Sequence, residues 1–244
     1  MDNVIKVDNL VKTYDNKQAV NNISFTVEKG SVFGLLGANG AGKSTTIECI
    51  LGTKNYDSGH VSVLGMNPII MRKSLFERVG VQFQEAKYQE NIKVKELCEV
   101  TASLYKNKLD YKELLSQFRI QDKMESLVKE LSGGERQRLF VILALIPNPE
   151  LVFLDELTTG LDSRARRDVW KILSGLKEKG LSILLTSHFM DEVEVLCDKI
   201  CILKKGEIVF LGKVEEAIEK SPYDTLEEAY LWYSDEEENN NESI

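Results

Sequence analysis

Nine short apolar runs recur along the chain, at 4–7, 23–27, 31–36, 61–64, 79–83, 151–154, 182–186, 200–203 and 208–211. Polar or glycine-containing breaks bound each of them, which is the pattern of buried or half-buried strands. Helical patterns lie between several of the runs, and that alternation predicts an α/β core with a largely parallel sheet. The early strands stand close together, separated by Asp15-Asn16-Lys17 and Glu28-Lys29-Gly30. Breaks this short predict antiparallel pairing and a separate side sheet. From about 85 to 147 the pattern is helical throughout. Val94, Leu97, Cys98, Thr101, Leu104 and Tyr105 follow helical spacing, 111–118 and 139–146 add two more segments, and Pro147 and Pro149 end the last. An all-helical stretch inside an α/β protein reads as a subdomain that moves as a unit. No internal repeat is present.

At 244 residues and 43% hydrophobic, the chain can bury a full core. Its longest apolar run, 139–146, is too short to span a bilayer. The first ten residues carry no apolar segment of signal-peptide type, so the expectation is a cytoplasmic protein. The net charge of −8 is concentrated at one end. From 224 onward there are 8 acidic residues and no basic ones, which leaves the body balanced at 31 of each sign. A body without basic excess is not expected to bind nucleic acid. The stretch 221–244 reads as a short helix followed by an acidic, disordered tail. Cys49, Cys98, Cys197 and Cys201 form no C-x-x-C pair, and buried, reduced thiols are expected rather than a zinc site.

Candidate chemistry begins at Gly37-Ala38-Asn39-Gly40-Ala41-Gly42-Lys43-Ser44, which fits G-x-x-x-x-G-K-[ST]. An apolar run precedes it and an amphipathic segment, 45–51, follows it up to Gly52. Strand, glycine loop and helix are the context this phosphate-binding loop needs. Gly37, Gly40 and Gly42 let the backbone aim N–H groups inward, where the helix N-terminus adds its dipole. Lys43 is placed to bridge the β- and γ-phosphates, Thr45 continues the loop, and the Ser44 hydroxyl is a ligand for Mg²⁺.

Two further segments supply what such a loop lacks. Residues 151–154 form an apolar strand with Asp155 and Glu156 at its carboxyl end, the edge where open parallel sheets bind ligands. Asp155 could hold the metal shell, and Glu156 could orient or deprotonate the attacking water. Leu131-Ser132-Gly133-Gly134-Glu135 opens an amphipathic helix with Ser132 at its N-cap. It is a second anion-binding helix start, and one nucleotide needs only one such cradle.

Taken together these residues resemble the nucleotide-binding domain of an ABC transporter over nearly the whole chain. Residues 37–44 are similar to the Walker A loop, LSGGE at 131–135 to the ABC signature, and LVFLDE at 151–156 to Walker B. Gly160-Leu161-Asp162 resembles the D-loop, Thr186-Ser187-His188 the switch histidine, Gln84 the Q-loop glutamine, and Tyr14 the aromatic residue that stacks on adenine. The resemblance implies a P-loop NTPase core of mostly parallel sheet, an antiparallel β side sheet and an all-helical subdomain. It implies an ATPase domain over 1–220 that binds ATP and Mg²⁺, with Ser44, Gln84 and Asp155 at the metal and Glu156 and His188 catalytic. It also implies a homodimer of two ATPase subunits closed head to tail by ATP, so that the signature acts in trans. A transmembrane permease subunit would receive the work, with this chain peripheral on the inner face of the membrane. Two departures stand out. Glu135 occupies a position where the family often has Gln, and Leu157 replaces a usual proline, which leaves the backbone freer. The segment 225–231 resembles a helix near the end of exporter ATPases for drugs, lipids or polypeptides. The rival readings are an importer ATPase and a soluble ABC ATPase of ribosome or DNA. The latter usually carries two ATPase domains or a long coiled coil, and this chain shows one Walker A, one signature and no long heptad run.

Overall fold

The computed structural model of the chain describes residues 2–15, 17–83 and 91–234. In order the strands and helices are β1 (Asn3–Tyr14), β2 (Lys17–Glu28), β3 (Val32–Gly37), α1 (Lys43–Ile50), β4 (Ser58–Val63), α2 (Arg72–Phe76), β5 (Val79–Gln82), α3 (Val94–Ser103), α4 (Tyr111–Gln117), α5 (Gly133–Leu145), β6 (Leu151–Asp155), α6 (Ser163–Glu178), β7 (Ser182–Thr186), α7 (Met190–Leu196), β8 (Lys199–Lys204), β9 (Glu207–Gly212), α8 (Val214–Glu219) and α9 (Leu226–Ser234). The main sheet runs β5-β6-β7-β3-β8-β9, and a three-stranded side sheet runs β2-β1-β4. Pairing is parallel from β5 through β8, and β9 is antiparallel at the edge. The side sheet is antiparallel throughout.

Parallel strands covered on both faces read as continuous apolar runs, because both sides of each strand are buried. The main sheet follows that rule. Leu151, Val152, Phe153 and Leu154 of β6 are each at most 1% exposed, and burying each such side chain contributes roughly 1.5–3 kcal/mol. β1 and β2 are longer than their apolar runs. Their extensions carry alternating polar residues such as Asn9, Lys12 and Asn22, and several register shifts interrupt the pairing. Asn9 and Asn22 take positive φ there, a backbone region in which Asn is tolerated, and bulges of this kind hide a strand from a periodicity test.

The break at 28–30 does not close a hairpin. It carries the chain from the side sheet, where β2 ends, to the main sheet, where β3 pairs with β7 and β8. The helical stretch is also broken up. Among its described residues the helices α3, α4 and α5 are separated by loops and by single 3-10 turns at Gln121–Lys123 and Val128–Glu130. Their apolar faces are not a core of their own: Val94, Leu115, Phe118 and Ile142 belong to one cluster with Val32, Val152, Leu154 and Ile183. The link is α5, which lies so close to β5 that a Cβ on Gly80 would stand 1.9 Å from the Ala144 carbonyl oxygen.

Candidate functional site

The strand order places three loops at one edge. β6, β7 and β3 are neighbours and all run the same way, so the segments after Gly37, Asp155 and Thr186 leave the sheet side by side. Between them lies an open cleft of about 580 Å³ lined by Lys17, Ala19, Asn39, Gly40, Gly42, Lys43, Ser44, Thr45, Glu156 and His188. A larger hollow of about 630 Å³, holding the Arg78–Glu150 ion pair, lies elsewhere and shares no residue with it.

The glycine loop has the expected form. Gly42 is the N-cap of α1 at φ 106°, a conformation glycine favours, and a Cβ there would meet the Ala19 carbonyl oxygen at 2.4 Å. No side chain caps α1, so its first N–H groups are left to a ligand. Ala41 is packed into the core, and its N–H donates to the Ala38 carbonyl at 3.0 Å. The Lys43 ammonium donates to the carbonyls of Gly37 (2.6 Å) and Ala38 (3.3 Å). Burial pulls its pKa below the ordinary lysine value, and the nearby Glu156 and Asp155 carboxylates oppose that shift.

Asp155 and Glu156 are held by Gln82 and Thr186, roles the sequence did not assign. The Asp155 N–H donates to Gln82 Oε1 at 3.1 Å, and the Thr186 hydroxyl donates to Asp155 Oδ1 at 2.5 Å. The same hydroxyl accepts the Glu156 N–H at 3.0 Å. Glu156 stands at φ 49°, which costs about 1–3 kcal/mol for a residue with a Cβ and persists only where the surroundings enforce it. His188 Nε2 lies 2.6 Å from Glu156 Oε1, so a ring N–H donates to the carboxylate across the mouth of the cleft. Leu157 is 3% exposed and packs in the main cluster, so its side chain restrains the segment that its backbone would leave free.

Other candidates fall outside the cleft. Tyr14 ends β1, 38% exposed, with the Lys12 and Lys54 ammonium groups over its ring at 5.1 and 5.4 Å. The cleft wall carries Lys17, its partner in the hairpin, instead. Gln84 lies outside the described residues. None of 131–135 lines the cleft. Leu131 is buried, and Ser132 caps α5: its hydroxyl and N–H both donate to Glu135 Oε2 at 2.9 Å. Those bonds, the backbone one foremost, and Lys123 at 3.3 Å hold the Glu135 carboxyl below the usual glutamate range. A Cβ on Gly133 would face the Gly160 carbonyl, and one on Gly134 would face Ala165. The signature and D-loop segments are therefore neighbours on one surface. Asp162 caps α6, accepting the N–H groups of Arg164 and Ala165.

Among the described residues no three His, Cys, Asp or Glu side chains gather to cage a metal. One hydroxyl, Ser44, and one carboxylate, Asp155, are hard oxygen donors of the kind Mg²⁺ takes together with substrate phosphates. All four cysteines are free, and burial pushes the Cys49 and Cys98 thiols up to about 11 and about 12.

A glycine loop opening a helix beside a strand that ends in Asp-Glu, on a parallel sheet, defines a P-loop nucleotide-binding protein. Residues 20–159 match the family described as ABC transporter. The chain is 39% identical over 222 residues to the Nod factor export ATP-binding protein I of Rhizobium meliloti, covering 88% of this chain and 66% of that one. It is 38% identical over 221 residues to the protein of the same name from Rhizobium etli, covering 88% and 70%. The chain thus spans about two thirds of the length of these curated relatives. A solved ATP binding subunit of an ABC transporter superposes with a TM-score of 0.85 at 26% identity, over 94% of this chain and 99% of that one. A dimeric bacterial ABC transporter cassette shares the fold, with a TM-score of 0.76 at 23% identity, over 86% and 98%. The chain belongs to the ABC transporter family, as an ATP-binding subunit with the α/β cassette fold.

Proposed function

We propose that the chain hydrolyses ATP at a site it completes only with a second subunit, and that a membrane permease receives the work of closing the pair, in an exporter. The observation that carries this reading is the Glu156–His188 contact at 2.6 Å, standing across the cleft from Lys43 and the capless start of α1. Backbone N–H groups at the start of α1 hold the phosphates and Lys43 supplies a point charge to them. Ser44 and Asp155, with Gln84, would hold Mg²⁺, which would neutralise charge on the phosphates. Glu156 takes the proton of the attacking water. His188 fixes that carboxylate and reaches the γ-phosphate. Tyr14 supplies a face for adenine.

The dimer follows from an economy of surfaces. Residues 131–135 form a hydroxyl-bearing helix start that does not reach the cleft of its own chain, and Asp162 stands beside them. A second subunit would bring both over the nucleotide, and a bacterial cassette that shares this fold is dimeric. We take 1–220 as the ATPase domain, 85–147 as a helical subdomain that turns on nucleotide binding, and 221–244 as a terminal helix and tail. Ile69, Ile70 and Met71 are exposed, Ile70 by 81%, and suit a protein partner. Their loop rests on the end of α1, where a Cβ on Gly52 would strike the Pro68 carbonyl. No helix among the described residues is long and apolar enough to cross a membrane. Export is supported by the names of the relatives, which are Nod factor export ATP-binding proteins, and the chain would work at the inner face of the membrane.

The test is Glu156→Gln. Phosphate release should fall below about one hundredth of wild type, since general-base catalysis contributes about 10²–10⁴-fold. ATP should then hold the variant as a dimer on size exclusion. Full turnover in the variant would remove Glu156 from its role.

A further inference from the structure

Behind the cleft, a carboxyl that the chemistry above does not use is sealed between two helices. Glu192, in the first turn of α7, is 2% exposed. It accepts the Trp170 indole N–H at 2.9 Å from α6. The hydroxyls of Ser187 and Thr158 face the same carboxyl. Burial, the largest effect, raises the carboxyl above the usual glutamate range, and these donors and the neighbouring Asp191 modify it. The Thr158 hydroxyl is buried and makes no hydrogen bond. One turn earlier on α6, the Arg166 guanidinium stacks on the Phe189 ring at 4.4 Å and reaches Asp191 at 3.6 Å.

The placement of these groups matters more than their number. Ser187 precedes His188 directly. Thr158 follows Glu156 by two residues and starts the segment that ends at Asp162. α6 begins at the Asp162 cap. One carboxyl therefore ties the helix that follows His188 to the helix that the D-loop opens, with Ser187 and Thr158 beside it. A well-packed apolar side chain in this position would avoid the desolvation cost of a carboxyl, so packing alone does not account for it.

We infer that Glu192 is a positioning residue of ATP hydrolysis, binding the helix that follows His188 to α6, which the D-loop opens, so that His188 and Glu156 keep their register as the D-loop moves. This rests on the ATPase reading above. The hydrogen bond to Trp170, rather than a net charge, carries the function, and an amide of the same shape can replace it, since its oxygen accepts from Trp170 as the carboxyl does.

Three variants of the full chain test this: Glu192→Ala, Glu192→Gln and Trp170→Phe, each measured for kcat, ATP KM and thermal midpoint. Glu192→Ala should lose about 10- to 100-fold in kcat, the scale of a small misplacement of catalytic groups, with KM within about threefold because Lys43 and its loop are untouched. Glu192→Gln should keep kcat within about threefold of wild type, and Trp170→Phe, which removes one donor but keeps an aromatic ring, should lose about three- to tenfold. A purely structural role would lower the midpoint and leave turnover per folded molecule unchanged, and that result overturns the inference. So does Glu192→Gln as impaired as Glu192→Ala. If Glu192→Ala does not fold, an unchanged kcat in Trp170→Phe overturns it. A wild-type chain that binds ATP without hydrolysing it overturns the ATPase reading and this inference together, whereas an active wild type with an active Glu192→Ala overturns the inference alone.

Discussion

Gly80→Ala is the most direct challenge to the way α5 is seated. A Cβ built on Gly80 would stand 1.9 Å from the Ala144 carbonyl oxygen and 2.9 Å from its carbon. Carbon and oxygen meet comfortably at about 3.3 Å or more. Backbone lies on both sides of the contact, so no side chain can swing away, and β5 and α5 must part by roughly 1 Å or more. Overpacking a core costs about 1–3 kcal/mol and occasionally more, and backbone against backbone belongs at the upper end. At about 2–4 °C per kcal/mol for a chain of this size, a loss of about 3 kcal/mol lowers the thermal midpoint by about 6–12 °C. The shift should also reach the far end of α5, where Ser132 stands, so ATP-driven dimerisation should weaken more than ATP binding. Circular dichroism melts and ATP titrations of the isolated chain would measure both effects. Gly175→Ala is the control, since Gly175 lies within α6 with nothing inside 4 Å of its Cβ position. It should raise stability by about 0.5–1 kcal/mol. A midpoint for Gly80→Ala within about 2 °C of wild type, less than 1 kcal/mol on the same scale, would refute the reasoning.

Lys43→Ala should weaken ATP binding at least about tenfold, because a charge-assisted contact to phosphate is worth about 1.5–3 kcal/mol, and equal affinity by calorimetry would contradict the loop assignment. Mixing Ser132→Arg subunits with Lys43→Ala subunits should restore activity through one intact composite site, while no recovery at any ratio would exclude a head-to-tail pair. The raised Glu192 carboxyl sets a pH dependence. Below the unfolded value of 4.5 both states are protonated and burial costs nothing. As pH rises past it the unfolded state ionises first, and stability is lost until the folded value is passed. The stability of Glu192→Gln relative to wild type should therefore grow from about pH 4.5 upward, and a difference in urea unfolding that stays flat or shrinks would disprove it.

Much of the fold could be read from apolar runs because the main sheet is buried on both faces, and β6 and β7 are unbroken apolar stretches ahead of the functional residues. The cleft was legible for a related reason: a phosphate loop needs glycine, lysine and a hydroxyl at fixed spacing, and Gly42, Lys43 and Ser44 stand on its wall. The rest depended on contacts between distant segments. Thr186 supports both Asp155 and Glu156 from another strand, and Gln82 supports Asp155 from a third, and no local spacing links either residue to the pair. Glu192 looks like an ordinary first-turn glutamate until α6 is packed over it. The polar halves of β1 and β2 were obscured by bulges.

The hydrogen bonds from Lys43 to the Gly37 and Ala38 carbonyls have a thermodynamic consequence. The ammonium is a brace within its own loop before it is a ligand for anything else. A phosphate that recruits it exchanges one set of oxygens for another, so the affinity gained is a difference between two occupied arrangements. Removing the lysine therefore changes the loop as well as the contact. The bound-state charge is isolated only by pairing Lys43→Ala with Lys43→Arg, where the brace can be kept while the point charge is spread over a larger, planar cation.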